Sequence, residues 1–413
     1  MRILLINKFL YPKGGAEKST LEIGKLLSFK GHEVMFWGMQ HPLNPEYPYK
    51  DYFVSRVDFD DPGNIKDQII SASNVLYSLE AKRNIERLIK IKKPDIVHLN
   101  NFAHQISPSI LDVFKKYNIP MVMSIRDYKL VCASYLMIAK GKICEACKRN
   151  KYYQCFSKGC VKDSKLKSLL STIEMYLHHK ILHIYDCIDV FISPSKFLKS
   201  KVEEMGFKGR IIYLPNFANT EMFNPEFSWQ EDSVVYFGRL SREKGLFTLL
   251  KAVKGLEGVS LKIIGEGPIQ KELGEKVKKE NIRNVYFLGY RKGEDLKNEI
   301  RKSKFVVLPS EWYENNPRSI IEGFAFGKSA IGARIGGIPE LVKDGETGLT
   351  FEAASIEDLR SKIKCLFNNP DKIVKMGKNA RLFVERELNP ERHYQGLMQV
   401  YEQAARRRPK VGG

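Results

Sequence analysis

Glu314 and Glu322 have seven residues between them in the run Glu314-Asn315-Asn316-Pro317-Arg318-Ser319-Ile320-Ile321-Glu322, which follows the apolar stretch Phe305-Val306-Val307-Leu308. The pattern reads as strand, turn and helix, with one carboxylate on the turn and the other inside the helix. Pro317 suits a first helical position, and Asn316 suits the cap before it. A helix start offers N–H groups and a positive dipole end to an anion. Carboxylates on both sides of an anion pocket fit a ligand with hydroxyls at each end of a diphosphate, as a nucleotide sugar has. Two solvated glutamates would give the same local sequence, so the weight rests on the rest of the chain.

A second set follows Val234–Phe237. Arg239 and Lys244, in Gly238-Arg239-Leu240-Ser241-Arg242-Glu243-Lys244-Gly245, leave a strand at its C-terminal end, where open α/β sheets bind ligands. A guanidinium grips phosphate with two N–H groups and an ammonium acts as a point charge, so together they can neutralise a diphosphate. Gly14-Gly15 lies between the first strand and a helix beginning near Glu17. Two glycines let backbone N–H groups approach a ligand, although a tight strand–helix turn needs them too. Arg126 and Asp127 follow another apolar run, and His98 closes Ile96-Val97-His98, where a core histidine is as good a reading as a cleft residue.

The segments Pro309–Glu314, Gly323–Lys328 and Gly336–Val342 are similar to the donor-site signature of the group-1 (family 4) retaining glycosyltransferases. With Gly14-Gly15-Ala16-Glu17 and the Arg239/Lys244 run, the motifs fall in the expected order over nearly the whole chain. The resemblance implies a GT-B fold, two Rossmann-like doubly wound parallel-sheet domains facing each other across a cleft. It implies that Glu314 holds the hydroxyls of the transferred sugar and Glu322 the ribose diol, while Arg239 and Lys244 hold the pyrophosphate. Gly15 and Gly14 would meet the phosphate end of the donor and shape the acceptor side. Backbone amides at Asn315, Asn316 and Arg318 would surround sugar and phosphate. The leaving diphosphate would take the acceptor's proton, with Asp127 positioning the acceptor and no metal required for the chemistry. Two positions depart from the pattern. Pro317 stands where many relatives have glycine and donates no N–H. Arg126 stands where many have histidine beside the donor sugar; arginine is no general base, so a role in neutralising donor or acceptor phosphate is expected.

Those implications divide the chain into residues 1–213 for the acceptor, 214–389 for the nucleotide sugar, and 390–413 as a helix crossing back to the first domain with a basic tail. The alternating runs agree. Strands are expected at Ile3–Ile6, Glu33–Trp37, Ile96–Leu99, Met121–Ile125 and Val190–Ile192, then at Val234–Phe237, Leu261–Ile264, Val285–Leu288, Phe305–Leu308, Ala330–Ala333 and Leu349–Phe351, with helical patterns between them. Tyr213-Leu214-Pro215-Asn216-Phe217-Ala218-Asn219 reads as the linker.

At 413 residues, with 43% hydrophobic and 28% charged residues, the chain can fill two domain cores. It opens directly on a strand, and no apolar run approaches ~20 residues, so a cytoplasmic protein is expected. The net charge of +20 points to an anionic partner. Ten Lys or Arg face three acidic residues between Ile138 and Leu182, where Leu166, Leu169, Leu170, Ile173, Leu177, Ile181 and Ile184 recur at helical spacing. An anionic membrane surface fits this segment, and so does a stripe packed on the core with solvated lysines. Nucleic acid is not expected, since no aromatic–basic RNA-binding module is present. Cys144, Cys147, Cys155 and Cys160 lie in a cysteine-rich basic insertion near 132–165; four thiolates could hold a structural zinc, or remain as reduced thiols in a loop. A glycan or lipid-linked acceptor is the expectation. The rivals are a nicotinamide dehydrogenase, whose third fingerprint glycine is missing at Gln270 after Gly265-Glu266-Gly267, a non-catalytic GT-B relic binding lipid or another anion, and a sugar-nucleotide epimerase.

Overall fold

Residues 1–57 and 73–407 are described by the computed structural model. Of the basic tail expected at Arg406-Arg407-Arg408-Pro409-Lys410, residues 408–410 lie outside them, and Arg406 closes the last helix. Two six-stranded sheets, both parallel, carry the chain. The first contains β1 (Arg2–Ile6), β2 (Glu33–Trp37), β3 (Ile96–Leu99), β4 (Met121–Ser124), β7 (Val190–Ser193) and β8 (Ile211–Tyr213), in the order β2-β1-β3-β4-β7-β8. Between β4 and β7 a short hairpin, β5 (Ile138–Ala139) and β6 (Lys142–Ile143), opens the cysteine-rich segment. The second sheet holds β9 (Ser233–Phe237), β10 (Ser260–Ile264), β11 (Val285–Gly289), β12 (Phe305–Leu308), β13 (Ala330–Ala333) and β14 (Gly348–Phe351), in the order β11-β10-β9-β12-β13-β14. This is the expected GT-B architecture. Apolar runs such as Phe305-Val306-Val307-Leu308 are buried end to end because helices cover both faces of a parallel sheet.

Strand order locates the ligand sites. In each sheet the order reverses once, between β1 and β3 in the first and between β9 and β12 in the second. Connections leave such a switch point toward opposite faces and open a crevice at the carboxyl ends of the strands. Gly14-Gly15 follows β1, Asn100 follows β3, Lys244 follows β9 and Glu314 follows β12.

Strand β8 is absent from the sequence reading, which gave Tyr213 to a linker. Three residues ending against Leu214-Pro215 are too short for a periodic signal, and the pairing partner β7 defines them. The chain then passes through a buried hinge at Asn216. It returns through Leu388–Asn389 into the helix Pro390–Arg406, whose Leu397, Val400, Tyr401 and Ala404 pack with Ile3, Leu5, Val122 and Ile192 of the first domain.

That terminal helix encloses two histidines. His98 is fully buried between the Tyr401 hydroxyl on Nδ1 and Ser124 Oγ on Nε2, both at 2.8 Å. His393 Nδ1 lies 2.8 Å from the Pro215 carbonyl oxygen. Burial, with the Arg126 charge adding to it, holds the rings neutral, at about 3 for His98 and about 4 for His393. Of the two readings of His98, the core one is observed. A histidine with a depressed folded value contributes stability above its unfolded value, near 6.5, that is lost as pH falls toward the folded one. Each ring should remove about 1.4 kcal/mol per pH unit across that window. The melting temperature is therefore expected to drop between pH 6.5 and about 4; a flat profile there would contradict neutral burial of the two rings.

Candidate active site

The helix Arg318–Ala325 starts the donor-side wall of the cleft. Ile320, Ile321, Phe324 and Ala325 are buried, so the apolar face fixes the helix on the second sheet and leaves its first turn toward the cleft. Its start differs from the sequence reading. Pro317 is not the first helical residue but the extended residue before it, at φ −66° and ψ 117°, and Asn316 does not cap the helix. Asn316 instead reaches the hinge: Asn216 N donates to its Oδ1 at 3.1 Å, and Asn216 Nδ2 donates to its carbonyl at 3.3 Å. The inter-domain partner outcompetes the local cap.

Glu314 and Lys244 meet where β9 and β12 diverge. Lys244 Nζ lies 2.6 Å from Glu314 Oε1, which also accepts from Ser310 Oγ at 2.6 Å. Burial alone would push the Glu314 carboxyl up, but the Lys244 ammonium and the bonds from Lys244 and Ser310 outweigh it and hold the group below its usual range. Gly336 and Gly337 set the backbone of this turn. Gly337 N donates to Glu314 O at 2.7 Å. A Cβ at Gly337 would lie 1.8 Å from Asn315 O, and one at Gly336, which has φ +61°, would lie 2.4 Å from Glu314 O. Arg239 is exposed on the loop after β9, where the Tyr236 hydroxyl anchors its carbonyl at 2.8 Å.

The first domain supplies the opposite wall. Gly14 precedes the helix Gly15–Phe29, and a Cβ at Gly15 would sit 3.6 Å from the Arg318 side chain. From the same helix Lys18 binds Glu322 at 2.7 Å, and Glu22 binds Arg318 at 2.7 Å. Arg318 also reaches Glu322 at 3.4 Å and Ser19 at 3.2 Å. Asn315 Nδ2 donates to the Arg126 carbonyl at 2.8 Å. These contacts join the residues proposed for the donor at one joint, the exposed Arg239 excepted, with Arg126 beside them. Asp127 Oδ1 accepts from Lys129 N at 2.9 Å in a local turn. His98 lies beneath the cleft floor, with its ring bonded to Tyr401 and Ser124. Lys18, Glu22, Asn100 and Asn216 were missed in the sequence; Asn216, inside the Pro/Asn linker, carried the one usable signal.

The cysteines lie in the insertion whose Glu145 accepts from the Tyr313 hydroxyl at 2.8 Å. Cys147 and Cys155 are buried, and Cys144 and Cys160 half-buried. Lys158 Nζ lies 3.5 Å from Cys144 Sγ. Among the described residues no group of three or more His, Cys, Asp or Glu side chains is arranged to hold a metal ion.

This fold agrees with the comparisons. The description "Glycosyltransferase Family 4" matches residues 13–222, and "Glycosyl transferases group 1" matches residues 218–383. The chain belongs to the group-1 (family 4) glycosyltransferases. It is 31% identical to an uncharacterized glycosyltransferase of Methanocaldococcus jannaschii over 215 residues, 52% of this chain and 60% of that protein. It is 25% identical to an uncharacterized 42.6 kDa protein in the cps region of Klebsiella pneumoniae over 83% of this chain and 87% of that one. Among solved structures, sucrose-phosphate synthase from Thermosynechococcus elongatus superimposes with a TM-score of 0.74 at 19% identity, covering 97% of this chain and 98% of the other. Anabaena HepE, in complex with UDP and glucose, gives 0.67 at 16% identity, covering 97% and 99%.

The Gly336-Gly337 packing carries a prediction. Gly337→Ala is expected to fold, because the second-domain core is untouched, yet to displace the Glu314 turn and lower turnover ~100-fold, the usual penalty for a misplacement of ~1 Å. Wild-type turnover in a folded Gly337→Ala protein would remove that role.

Proposed function

We propose that the protein moves a sugar, with retention of anomeric configuration, from a UDP- or GDP-sugar to a glycan or lipid-linked acceptor in cell-surface polysaccharide or glycolipid synthesis. The observation that carries this reading is the half-buried Lys244 paired with the buried Glu314 at the second sheet's switch point, with Gly15 against Arg318 at the following helix start. Lys244, Arg239 and the first turn of Arg318–Ala325 would take the diphosphate, and Glu314 the hydroxyls of the sugar. Glu322 would take the ribose diol. The bond from the anomeric carbon to the diphosphate oxygen breaks with its electron pair on the diphosphate. The acceptor hydroxyl attacks from the same face and gives its proton to that oxygen. Charge grows on the diphosphate in the transition state, which is where fixed cations and helix N–H groups are most effective. The HepE neighbour, solved with UDP-glucose, supports this class of donor. A partial relative, a lipopolysaccharide 1,2-N-acetylglucosaminetransferase of Salmonella typhimurium, supports the acceptor class.

Steady-state kinetics with a matching donor test the assignment. Glu314→Ala should lower kcat by ~100-fold or more, since it orients the reacting carbon. Glu322→Ala should act on donor affinity with little change in kcat, because the ribose contact is alike in ground and transition states. Arg239→Ala and Lys244→Ala should weaken both. Wild-type turnover and affinity in Glu314→Ala and Arg239→Ala would refute the cleft assignment.

A peripheral position on an anionic membrane belongs to the same reading. No helix among the described residues is long and apolar enough to cross a membrane. The helix Lys165–Tyr176 turns a mostly polar face inward: Ser168, Thr172 and Glu174 are buried beside Met175, and Glu174 binds Lys129 at 2.7 Å. Leu166 is 78% exposed and Ile173 47%, with Ile181 at 69% just beyond. Lys158, Lys165, Lys167 and Lys180 are exposed in the same segment. Apolar side chains turned outward among lysines suit the boundary of an anionic bilayer. Sedimentation with anionic vesicles should show binding that weakens with salt and falls strongly in Leu166→Ser/Ile173→Ser/Ile181→Ser. Absence of binding by the wild type at low salt would leave a soluble acceptor as the better reading.

A further inference from the structure

The cations of the joint differ in how they are neutralised. Lys244 has Glu314, Lys18 has Glu322, and Arg318 has Glu22 and Glu322. Arg126 has amides only. Its Nε and Nη2 donate to Asn100 Oδ1 at 3.2 and 2.9 Å, and its Nη1 donates to Asn216 Oδ1 at 3.0 Å. No carboxylate among the described residues forms an ion pair with it. An amide oxygen satisfies an N–H without cancelling the charge. A guanidinium carries five N–H groups, so one on each Nη is left over, the pairing that a carboxylate takes with its two oxygens. Burial and the charge of Arg318 lower its pKa to about 10 against the opposing pull of the Glu17 carboxylate, which forms no ion pair with it, so it stays protonated at neutral pH.

The neighbours of Arg126 point the same way. Asn100 is 2% exposed and its Nδ2 has no hydrogen-bond partner. Asn315 Oδ1 has none either, while its Nδ2 holds the Arg126 carbonyl. A donor and an acceptor therefore flank a held but un-neutralised cation at the ends of β3 and β4. Asn315 adjoins Glu314, the residue assigned above to the sugar, while Arg126 follows β4 on the first domain, and Arg239 and Lys244, assigned to the diphosphate, follow β9 on the second. A buried charge without a counter-ion is costly, and a ligand oxyanion placed there offsets that cost.

We propose that Arg126, held by Asn100 and Asn216 and flanked by Asn315, reads a carboxylate on the transferred sugar, so that the donor is a nucleoside-diphosphate uronate or a similar acidic sugar. The inference rests on the nucleotide-sugar reading above. It makes Arg126 a specificity-determining residue and gives the sugar end of the cleft its own anion site, separate from the diphosphate.

Calorimetric titration without acceptor tests it, using UDP, UDP-glucose and UDP-glucuronate, and GDP, GDP-mannose and GDP-mannuronate. In the wild type the uronate of the accepted nucleotide should bind at least about 10-fold tighter than its neutral counterpart, as one charge-assisted bidentate contact allows. Arg126→Gln should abolish that preference and leave the affinity for UDP or GDP alone unchanged, and Arg126→Lys should keep part of it. Equal affinity for uronate and neutral sugar in the wild type overturns the inference and leaves the donor reading standing. So does a preference that survives Arg126→Gln, and so does an equal loss for nucleotide, neutral sugar and uronate, which would mark Arg126 as structural. If no nucleotide binds to the folded wild type, both readings fall together. An acceptor phosphate is the other source of an oxyanion; rescue of the lost affinity only when a phosphorylated acceptor is added would assign the site to it and overturn the uronate.

Discussion

Arg318 holds the two domains at a fixed spacing. It is the first residue of the donor-side helix, and its guanidinium spans the cleft to Glu22 and Ser19 while turning back to Glu322. One planar fork therefore sets both the entry of a helix and the distance to the opposite wall. The Gly14–Gly15 loop, Lys18 and the Glu314 turn are all positioned relative to that grip. A lysine could supply the charge but not three bonds in a plane.

The joint is polar almost throughout. Arg318, the Lys18–Glu322 pair, the Asn216–Asn316 bonds and Asn315 on Arg126 make most of it, and Glu340 adds bonds to the N–H groups of Lys196 and Phe197 at 2.9 and 2.7 Å. Glu340 thereby stabilises the start of a first-domain helix from the second domain, as a carboxylate at a helix N-terminus does. Polar contacts between domains can be exchanged for water at low net cost, so relative motion is the ordinary expectation. The terminal helix adds an apolar contact on the first sheet that does not depend on these polar bonds.

Much of this was legible in the chain because two kinds of signal are local. Parallel strands buried on both faces are written as apolar runs, and the second sheet was marked that way, with Lys262 and Thr350 interrupting two of its strands. Glycines and prolines at the ends of those runs marked the turns that carry Glu314, Lys244 and Gly15. Long-range pairing left no local mark. Asn316 looked like a cap because the residue type favours one, and only the fold brings Asn216 within reach to claim it. The leucine stripe of residues 166–184 was read correctly as helical, but periodicity cannot say which face turns inward. A buried ion pair of Glu174 with Lys129 decided that, since the charged side had a partner inside and the apolar side had none.

The Lys244–Glu314 bond also bears on which anions the cleft ignores. Lys244 already has a carboxylate at 2.6 Å, tethered a few residues from its strand. A free inorganic phosphate has to compete with that tethered group and brings a single point of attachment. A molecule that also engages Arg239, the helix start and the opposite wall can win the exchange, because it replaces one contact with several. The carboxylate thus works as an internal competitor: it sets a threshold that separates an extended, multiply anchored diphosphate from the small anions that surround it in far greater number.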